Sequence, residues 1–232
     1  MKYHVEFDIE LRRNPYKGLY IAFEGIDGSG KTTQLEILKH YLEEKGKSVV
    51  ITSEPRKEKS AVGRLIHEIL QSKIKVPSAS LQYLYTAERI INHHDIVEPA
   101  LKAGKIVLSH RCLWSNVPYG MLDKGVTNYD SADTKLINTT QGLMSLYHQF
   151  IIPDATFFLS VSPDTAMKRL VQMRKVREIM YEKKEKMEKV AKGYRWQLKQ
   201  FPSQFTIING ESGKEEMSWE IQKKVEKLII EK

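Results

Sequence analysis

Several kinds of residue and segment are scarce in this 232-residue chain, and each scarcity excludes a class of protein. Cys112 is the only cysteine, so no internal disulfide can form, which favours a protein of the reducing cytoplasm. Nor does the chain contain a Cys/His cluster that would suit a structural zinc ion. No apolar run approaches the roughly 20 residues that a membrane-spanning helix needs. Charges interrupt residues 1–11, which is not the pattern of a secretory signal peptide.

The composition is that of a globular protein with one unusually basic segment. Hydrophobic residues make up 41% and charged residues 28%, which suits one α/β domain with a sizeable core. The net charge of +8 resides in residues 168–199, which contain twelve Lys and Arg against four Asp and Glu. A single cationic segment suits the phosphates of a small molecule as well as those of a polymer, so a general nucleic-acid binder is not implied.

Residues 19–33 combine an apolar run, a glycine-rich loop and the start of an amphipathic helix. Their sequence, LYIAFEGIDGSGKTT, contains the phosphate-binding pattern GxxxxGK[ST] between a strand and a helix. Glycines let backbone N–H groups curl around phosphate oxygens, and the helix adds its positive N-terminal end. Lys31 is expected to reach the β- and γ-phosphates of ATP, and Thr32 to hold Mg²⁺. The predicted ATP-binding residues are Gly25, Ile26, Asp27, Gly28, Ser29, Gly30, Lys31, Thr32 and Thr33.

The rest of the chain alternates short apolar runs with amphipathic helices, which predicts a parallel α/β sheet. Strands are predicted near 48–52, 106–109, 155–161 and 205–209. Helices are predicted near 60–72, 78–103, 115–122, 131–149 and 214–231. Two more are predicted between them, one that begins at residue 162 and a highly charged one that ends at about residue 200. Strict alternation over 3–11 predicts one more strand, at a sheet edge or, as the less simple alternative, in a dimer contact. Because ligands bind at the carboxyl ends of parallel strands, Arg56 and Arg111 are expected near the site.

Some residues allow two interpretations on sequence alone. Tyr85 and Arg89 lie one helical turn apart, yet Tyr85 suits the core equally well and Arg89 could form a surface ion pair. The basic stretch 174–177 could cover a phosphate or simply face solvent. His93 and His94 lack metal-ligand spacing and are expected at the surface.

Five motifs, in order and correctly spaced from about residue 19 onwards, resemble the thymidylate kinase family of nucleoside monophosphate kinases. The loop EGIDGSGKTT resembles the family's EGxDGxGKTT, and Glu54-Pro55-Arg56 resembles its Pro-containing loop after the second strand. Residues 81–89 resemble LLFxAxR, residues 110–119 resemble DRYxxSxxAY, and Pro153-Asp154 resembles a PD pair before a strand. His110, Cys112 and Gly120 stand where the family usually has Asp, Tyr and Gln.

The resemblance implies a fold, a reaction and a set of partners. The implied fold is a P-loop NTPase three-layer sandwich, a five-stranded parallel sheet flanked by helices, here with an extra N-terminal strand. An extension at 1–18 would precede the kinase domain at 19–232, whose basic lid lies at about 172–182. The implied reaction transfers the γ-phosphoryl group of ATP to dTMP with Mg²⁺, giving dTDP for dTTP biosynthesis. The implied assembly is a homodimer, with nucleotides rather than nucleic acid or membranes as partners.

The same resemblance assigns roles to the acceptor-binding side chains. Arg89 and Arg111 would hold the acceptor's phosphate, because bidentate arginine contacts suit phosphate, with possible help from Arg56. Tyr85 would stack on or pack beside the thymine. The side chains that would border the base and sugar are Ser115, Asn116 and Tyr119.

The implied catalytic set surrounds the transferred phosphoryl group. Asp27 would lie near it and near the sugar hydroxyl. The P-loop contains no arginine, so the lid residues Arg174 and Arg177 are expected to spread over the developing charge. The expected catalytic residues are Lys31, Asp27, Arg111, Arg174 and Arg177.

Three functional hypotheses follow, and dTMP phosphorylation is the preferred one. A related P-loop kinase with another nucleotide or nucleoside acceptor is the second. A nucleotide-binding protein with little catalysis, or one whose basic helix binds nucleic acid, is the third. The three differ in whether ATP is consumed and with which acceptor.

Overall fold

The computed structural model describes residues 10–56, 59–129, 133–174 and 180–232. The strands are β1 Leu19–Glu24, β2 Val49–Ser53, β3 Ile106–His110, β4 Ala155–Ser160 and β5 Thr206–Asn209. All neighbouring pairs are parallel, in the order β2-β3-β1-β4-β5. The predicted five-stranded parallel sheet is thereby confirmed, with β1 at its centre.

Helices connect the strands, as βαβ units require. Their bounds are α1 Lys31–Glu44, α2 Ala61–Leu70, α3 Ser78–Asn92, α4 Glu98–Lys102, α5 Asn116–Asp123, α6 Thr134–Met144, α7 Pro163–Arg174, α8 Met180–Gln200 and α9 Lys214–Glu231. A π-helical segment, His93–Val97, joins α3 directly to α4. The long helix predicted from 78 to 103 is therefore present, with a local change of winding.

Side chains alternate between the two faces of β1, and both faces are buried. Ile21 and Phe23 pack with the apolar faces of α1 and α9. Tyr20, on the other face, packs with Val97 and Leu101 from the segment that follows α3. Helices therefore cover both sides of the sheet, and the predicted three-layer arrangement is confirmed.

Most of the predicted strand at 3–11 lies outside the described residues, so its place stays a prediction. Leu11 packs against the core that contains Trp114. Arg12 makes an isolated parallel bridge with Ile151, and its carbonyl accepts from the N–H of Ile152 at 2.9 Å. The chain before β1 is thus fastened to the segment that leads into β4.

The carboxyl ends of the strands gather several loops at one edge of the sheet. The loop after β1 contains the P-loop, the loop after β2 contains Arg56, and the loop after β3 contains Arg111. This common edge is where a ligand is expected in a parallel α/β fold. Within the described ranges, no helix is both long and apolar enough to cross a membrane.

Candidate active site

The P-loop has the backbone geometry that its glycines predict. Gly25, Gly28 and Gly30 have φ angles of 134°, 82° and 99°, which L side chains rarely adopt. A Cβ atom on Gly28 would also lie 2.4 Å from the carbonyl oxygen of Ala166. Only glycine fits there, so α7 can pack closely against the loop.

Lys31 begins α1 and is buried beneath the loop. Its Nζ donates to the carbonyls of Gly25 and Ile26, at 3.0 and 2.9 Å. Burial, reinforced by the positive charge of Arg111, lowers the pKa of the Lys31 ammonium to about 7. An anion bound beside Lys31 would raise this pKa again and favour the charged ammonium form.

A cavity of about 1250 Å³ opens at the carboxyl edge of the sheet. It extends from the P-loop, between α3 and α5, to α7 and α8. The predicted site residues that line it are Ile26, Asp27, Thr32, Arg56, Tyr85, Arg89, Arg111, Ser115, Asn116 and Tyr119. The structure therefore gathers residues from four of the five motifs around one space that is large enough for two nucleotides.

Arg111 lies at the centre of this cavity wall. Its φ angle is 74°, an uncommon value for a residue with a side chain, and its N–H donates to the carbonyl of Phe23 at 3.0 Å. One guanidinium nitrogen, Nη2, donates to Asp27 at 2.7 Å and to the Tyr119 hydroxyl at 2.8 Å. The backbone turn thus points the guanidinium back across the P-loop.

Asp27 faces the cavity with 68% of its side chain exposed. The surrounding wall partly desolvates the carboxylate, which raises its pKa, but the charges of Arg111 and Lys31 outweigh this effect. The pKa of Asp27 therefore lies well below its usual range. The carboxylate is ionised at any physiological pH.

Two residues that lie behind Arg111, Glu24 and Tyr194, were not predicted from the sequence to belong to the site. Glu24, the last residue of β1, is fully buried and accepts from the hydroxyls of Ser115 and Tyr194. The backbone N–H of Cys112 also donates to it, at 2.9 Å. Glu24 lies at a strand's carboxyl end, a position that could have identified it, whereas nothing local to the sequence around Tyr194 indicates this contact.

Two buried ion pairs form another part of the wall. Arg89 donates from Nε to Glu54, and Arg56 donates from Nε to Glu88 at 2.9 Å. All four side chains are at most 7% exposed. The positive charge of each arginine in the site is therefore balanced by a neighbouring carboxylate.

The part of the cavity between α3 and α5 is less charged. Burial raises the pKa of Tyr85 to about 12, so the phenol remains neutral. Gln82, one turn before Tyr85, donates to Asp123 at 2.6 Å, and both residues line the cavity. These surroundings suit a flat, uncharged ring.

Gly120 does not border this space. A Cβ atom there would point at Leu143 of α6, 2.4 Å from its Cδ1 atom. The position where the family often has Gln is therefore a close helix contact in this chain.

His110 ends β3 and lines the cavity. Burial and the charges of Lys31 and Arg111 lower the pKa of its imidazole to about 3. The ring is therefore neutral at physiological pH and brings no charge to the cavity.

The residues present fit a magnesium ion that arrives with ATP. Thr32 lies at the N-terminus of α1 and borders the cavity. Among the described residues, no group of three or more His, Cys, Asp and Glu could hold a metal ion. Magnesium commonly binds through few protein groups together with phosphate oxygens and water, and a hydroxyl beside the P-loop suits that mode.

The expectation that His93 lies at the surface is wrong, whereas His94 is exposed. His93 is 4% exposed and packs against the rings of Tyr20 and Phe150. His93 follows the buried Arg89 by one turn of helix, so regular helical spacing places it on the buried face.

The lid cannot be placed in the same way. Arg177 lies outside the described residues, and so does the side chain of Arg174. Their roles stay predictions.

The sequence profile described as "Thymidylate kinase" matches residues 23–221. The chain belongs to the thymidylate kinase family. It is 33% identical over 197 residues to the thymidylate kinase of Thermoanaerobacter sp. (strain X514), covering 84% of this chain and 90% of that protein. It is 35% identical to the thymidylate kinase of Sulfurihydrogenibium sp. (strain YO3AOP1), covering 83% and 89%. With the thymidylate kinase of Thermosipho africanus (strain TCF52B), it shares 32% identity over 91% of this chain and 99% of the relative.

Membership of the thymidylate kinase family makes the chain a phosphotransferase that uses ATP. The match begins within β1 and ends within α9, so it includes every part of the cavity wall described above.

Proposed function

We propose that this chain converts dTMP to dTDP in the cavity described above, at the expense of ATP. The observation that supports this most directly is the convergence of the P-loop, Arg111 and the Tyr85 face of α3 on one space. The P-loop end binds the phosphates of ATP, and the space between α3 and α5 receives the acceptor. Two sites that share one wall allow direct transfer between the bound nucleotides.

The phosphate end of the cavity positions the transferred group. Backbone N–H groups of the loop and Lys31 hold the β- and γ-phosphates of ATP. An oxygen of the dTMP phosphate attacks the γ-phosphorus, and the bond to the β–γ bridging oxygen breaks, which leaves ADP. Arg111 lines the same cavity and neutralises charge on the acceptor's phosphate.

The acceptor end of the cavity selects the nucleotide. Tyr85 offers an aromatic face, and Asn116 and Tyr119 border the same space. Arg89 and Arg56 have their charges balanced by Glu54 and Glu88, so they donate hydrogen bonds without adding net positive charge. Together these residues form the binding region for base, sugar and phosphate of dTMP.

Magnesium is the proposed metal, and Thr32 is the residue that would hold it. When bound, Mg²⁺ supplies charge neutralisation of the phosphate oxygens. His110, neutral in this site, leaves the metal's environment less negative than an aspartate there would.

The proposed assembly is a homodimer formed through the outer face of α3. Tyr83 and Ile90 are two turns apart on this helix, and they are 70% and 43% exposed. Large exposed apolar side chains on one helix face favour association with another surface. A cytoplasmic location stays a prediction.

The experiment that tests the function is a coupled assay of ADP release from ATP and Mg²⁺ with a panel of acceptors. The panel contains dTMP, dUMP, UMP, CMP, AMP, GMP and thymidine. We expect the highest kcat/KM with dTMP. A clear preference for another member would instead identify a kinase with a different acceptor, and ATP binding without any ADP release would contradict catalysis.

Lys31→Ala is the control variant for that assay. Loss of the P-loop lysine should abolish ADP release by removing contacts to the transferred phosphate, while the thermal midpoint stays close to that of the parent protein. Undiminished ADP release would show that the signal comes from another enzyme or that the P-loop is not the ATP site.

A further inference from the structure

Glu24 and Arg111 are buried close together but do not touch directly. The shortest separation, from Oε2 of Glu24 to Nη1 of Arg111, is 3.7 Å. Two hydroxyl groups lie between them, one from Ser115 and one from Tyr194. The carboxylate is therefore satisfied mainly by neutral donors rather than by the guanidinium.

The proton count at these two hydroxyls is decided by the charged groups around them. An ionised carboxylate only accepts hydrogen bonds, and a guanidinium only donates them. Tyr194 therefore donates its single proton to Glu24 at 2.6 Å and accepts from Nη1 of Arg111 at 3.0 Å. Ser115 does the same, donating at 2.8 Å and accepting at 3.2 Å.

Both hydroxyls thus engage Nη1 and leave Nη2 directed at Asp27 and Tyr119, on the cavity side. Without the Tyr194 hydroxyl, Nη1 of Arg111 would have one partner fewer, and Oε2 of Glu24 would keep only the Ser115 hydroxyl as a donor. Attraction between opposite charges in a buried site is strong. Arg111 would then move toward Glu24 and away from the cavity.

Tyr194 comes from a different part of the fold than the other three residues. It lies on α8, the helix that follows residues 175–179 and that packs against α5. Its own side chain is fully buried and packs against Phe158 of β4, with 5.1 Å between the ring centroids and the ring planes tilted by 51°. The orientation of Arg111 therefore depends on the position of α8.

We propose that Tyr194 is a positioning residue for phosphoryl transfer, because its hydroxyl separates Arg111 from Glu24 and keeps the guanidinium directed at the acceptor's phosphate. This proposal rests on the proposed function, in which Arg111 binds that phosphate. Because Tyr194 lies on α8, the position of this helix also determines where Arg111 lies in the acceptor site.

The test compares Tyr194→Phe with Tyr147→Phe in steady-state kinetics. Tyr147 is an equally buried tyrosine whose hydroxyl donates to the carbonyl of Leu113 at 2.8 Å, and it makes no contact with Arg111. Tyr147→Phe loses one buried hydrogen bond to a carbonyl, whereas Tyr194→Phe loses its bonds to Glu24 and to Arg111, so Tyr194→Phe should lose more thermal stability. Tyr147→Phe therefore controls for the loss of a buried phenol hydroxyl, and the comparison is made on the KM values. We expect Tyr194→Phe alone to raise the KM for dTMP, by about 10- to 100-fold, as for a lost bond to a charged group. The KM for ATP should change by less than about threefold.

A double-mutant cycle with Arg111→Lys gives the second readout. If Tyr194 acts through Arg111, its substitution should have little further effect on the KM for dTMP once the guanidinium is gone. Additive effects, or equal KM values for dTMP in Tyr194→Phe and Tyr147→Phe, would overturn the proposal. If the parent protein phosphorylates dTMP and Arg111→Lys raises its KM while Tyr194→Phe does not, the function stands and only the role of Tyr194 fails.

Discussion

Lys31 shows how burial can make a phosphate-binding lysine sensitive to pH. Its pKa of about 7 means that half of the side chains are neutral near physiological pH before ATP binds. ATP phosphates favour the ammonium form, so binding must take up a proton wherever Lys31 was neutral. Linkage then requires that ATP affinity falls as pH rises above the pKa of the free protein.

We predict that the Kd of ATP rises up to about tenfold per pH unit between about pH 7 and pH 9, because one proton is taken up for each ATP bound. Calorimetry in buffers of different ionisation enthalpy measures both the affinity and the protons taken up. Lys31→Ala should bind ATP more weakly at every pH in this window but with a flat profile. A pH-independent Kd in the parent protein would show that Lys31 remains charged throughout.

The residues of this site differ in how far the sequence reveals them. Lys31, Thr32 and Arg111 belong to motifs whose members are close together in the chain, so the pattern predicts their place. Glu24 and Tyr194 meet across 170 residues, and only the packing of α8 onto the sheet brings the hydroxyl to the carboxylate. No local pattern encodes such a contact, and the neutral phenol resembles any other core aromatic.

At the scale of whole elements, α8 and α5 are held at close range by a glycine. A Cβ atom on Gly193 would lie 2.8 Å from Cα of Pro118, which is backbone and cannot turn aside. Gly193 directly precedes Tyr194, so the distance between these two helices also sets where the Tyr194 hydroxyl lies.

We therefore predict that Gly193→Ala destabilises the protein by about 1–3 kcal/mol, because the overpacked contact exceeds the roughly 1 kcal/mol that alanine gains in helix propensity. Urea unfolding gives the value. Gly142→Ala is the matched control, since Gly142 is also in a helix and a Cβ there meets nothing within 4 Å. That control should gain about 0.5–1 kcal/mol. A Gly193→Ala variant as stable as the control would mean that α8 moves freely on α5.

The helices also show where periodicity stops being informative. The apolar spacing from 78 to 103 predicts one long helix, and the structure contains it. Within that helix, the segment His93–Val97 is wound as a π-helix, which the spacing of the apolar residues did not predict. A change of winding leaves no mark in hydrophobic spacing.

At the scale of the molecule, the sheet was predictable because parallel strands buried on both faces give uninterrupted apolar runs. Leu19 to Phe23 is such a run, and β1 indeed lies in the centre. The alternating segment at 3–11 gives an equally clear strand pattern, but alternation cannot name the neighbour of a strand. Its partner depends on contacts with the rest of the fold.

The whole molecule should associate through α3. We predict that the parent protein sediments as a dimer and that the double variant Tyr83→Lys and Ile90→Lys sediments as a monomer, because charges would replace apolar contact area. Analytical ultracentrifugation at several concentrations measures this. Ile207→Lys is the control, since Ile207 is 58% exposed on β5, away from α3, and its variant should remain dimeric. A parent protein that sediments as a monomer at all concentrations contradicts the proposed assembly.

The single thiol of the chain has a practical consequence. Cys112 is fully buried, and burial together with the adjacent Glu24 raises the pKa of its thiol well above the usual value. A thiol reagent can therefore react with the native protein only during moments when the core beneath Glu24 opens. The rate at which Cys112 is labelled therefore measures how often this part of the core opens. Because the chain has no other cysteine, a cysteine introduced at the surface would be the only thiol that a fluorophore labels quickly.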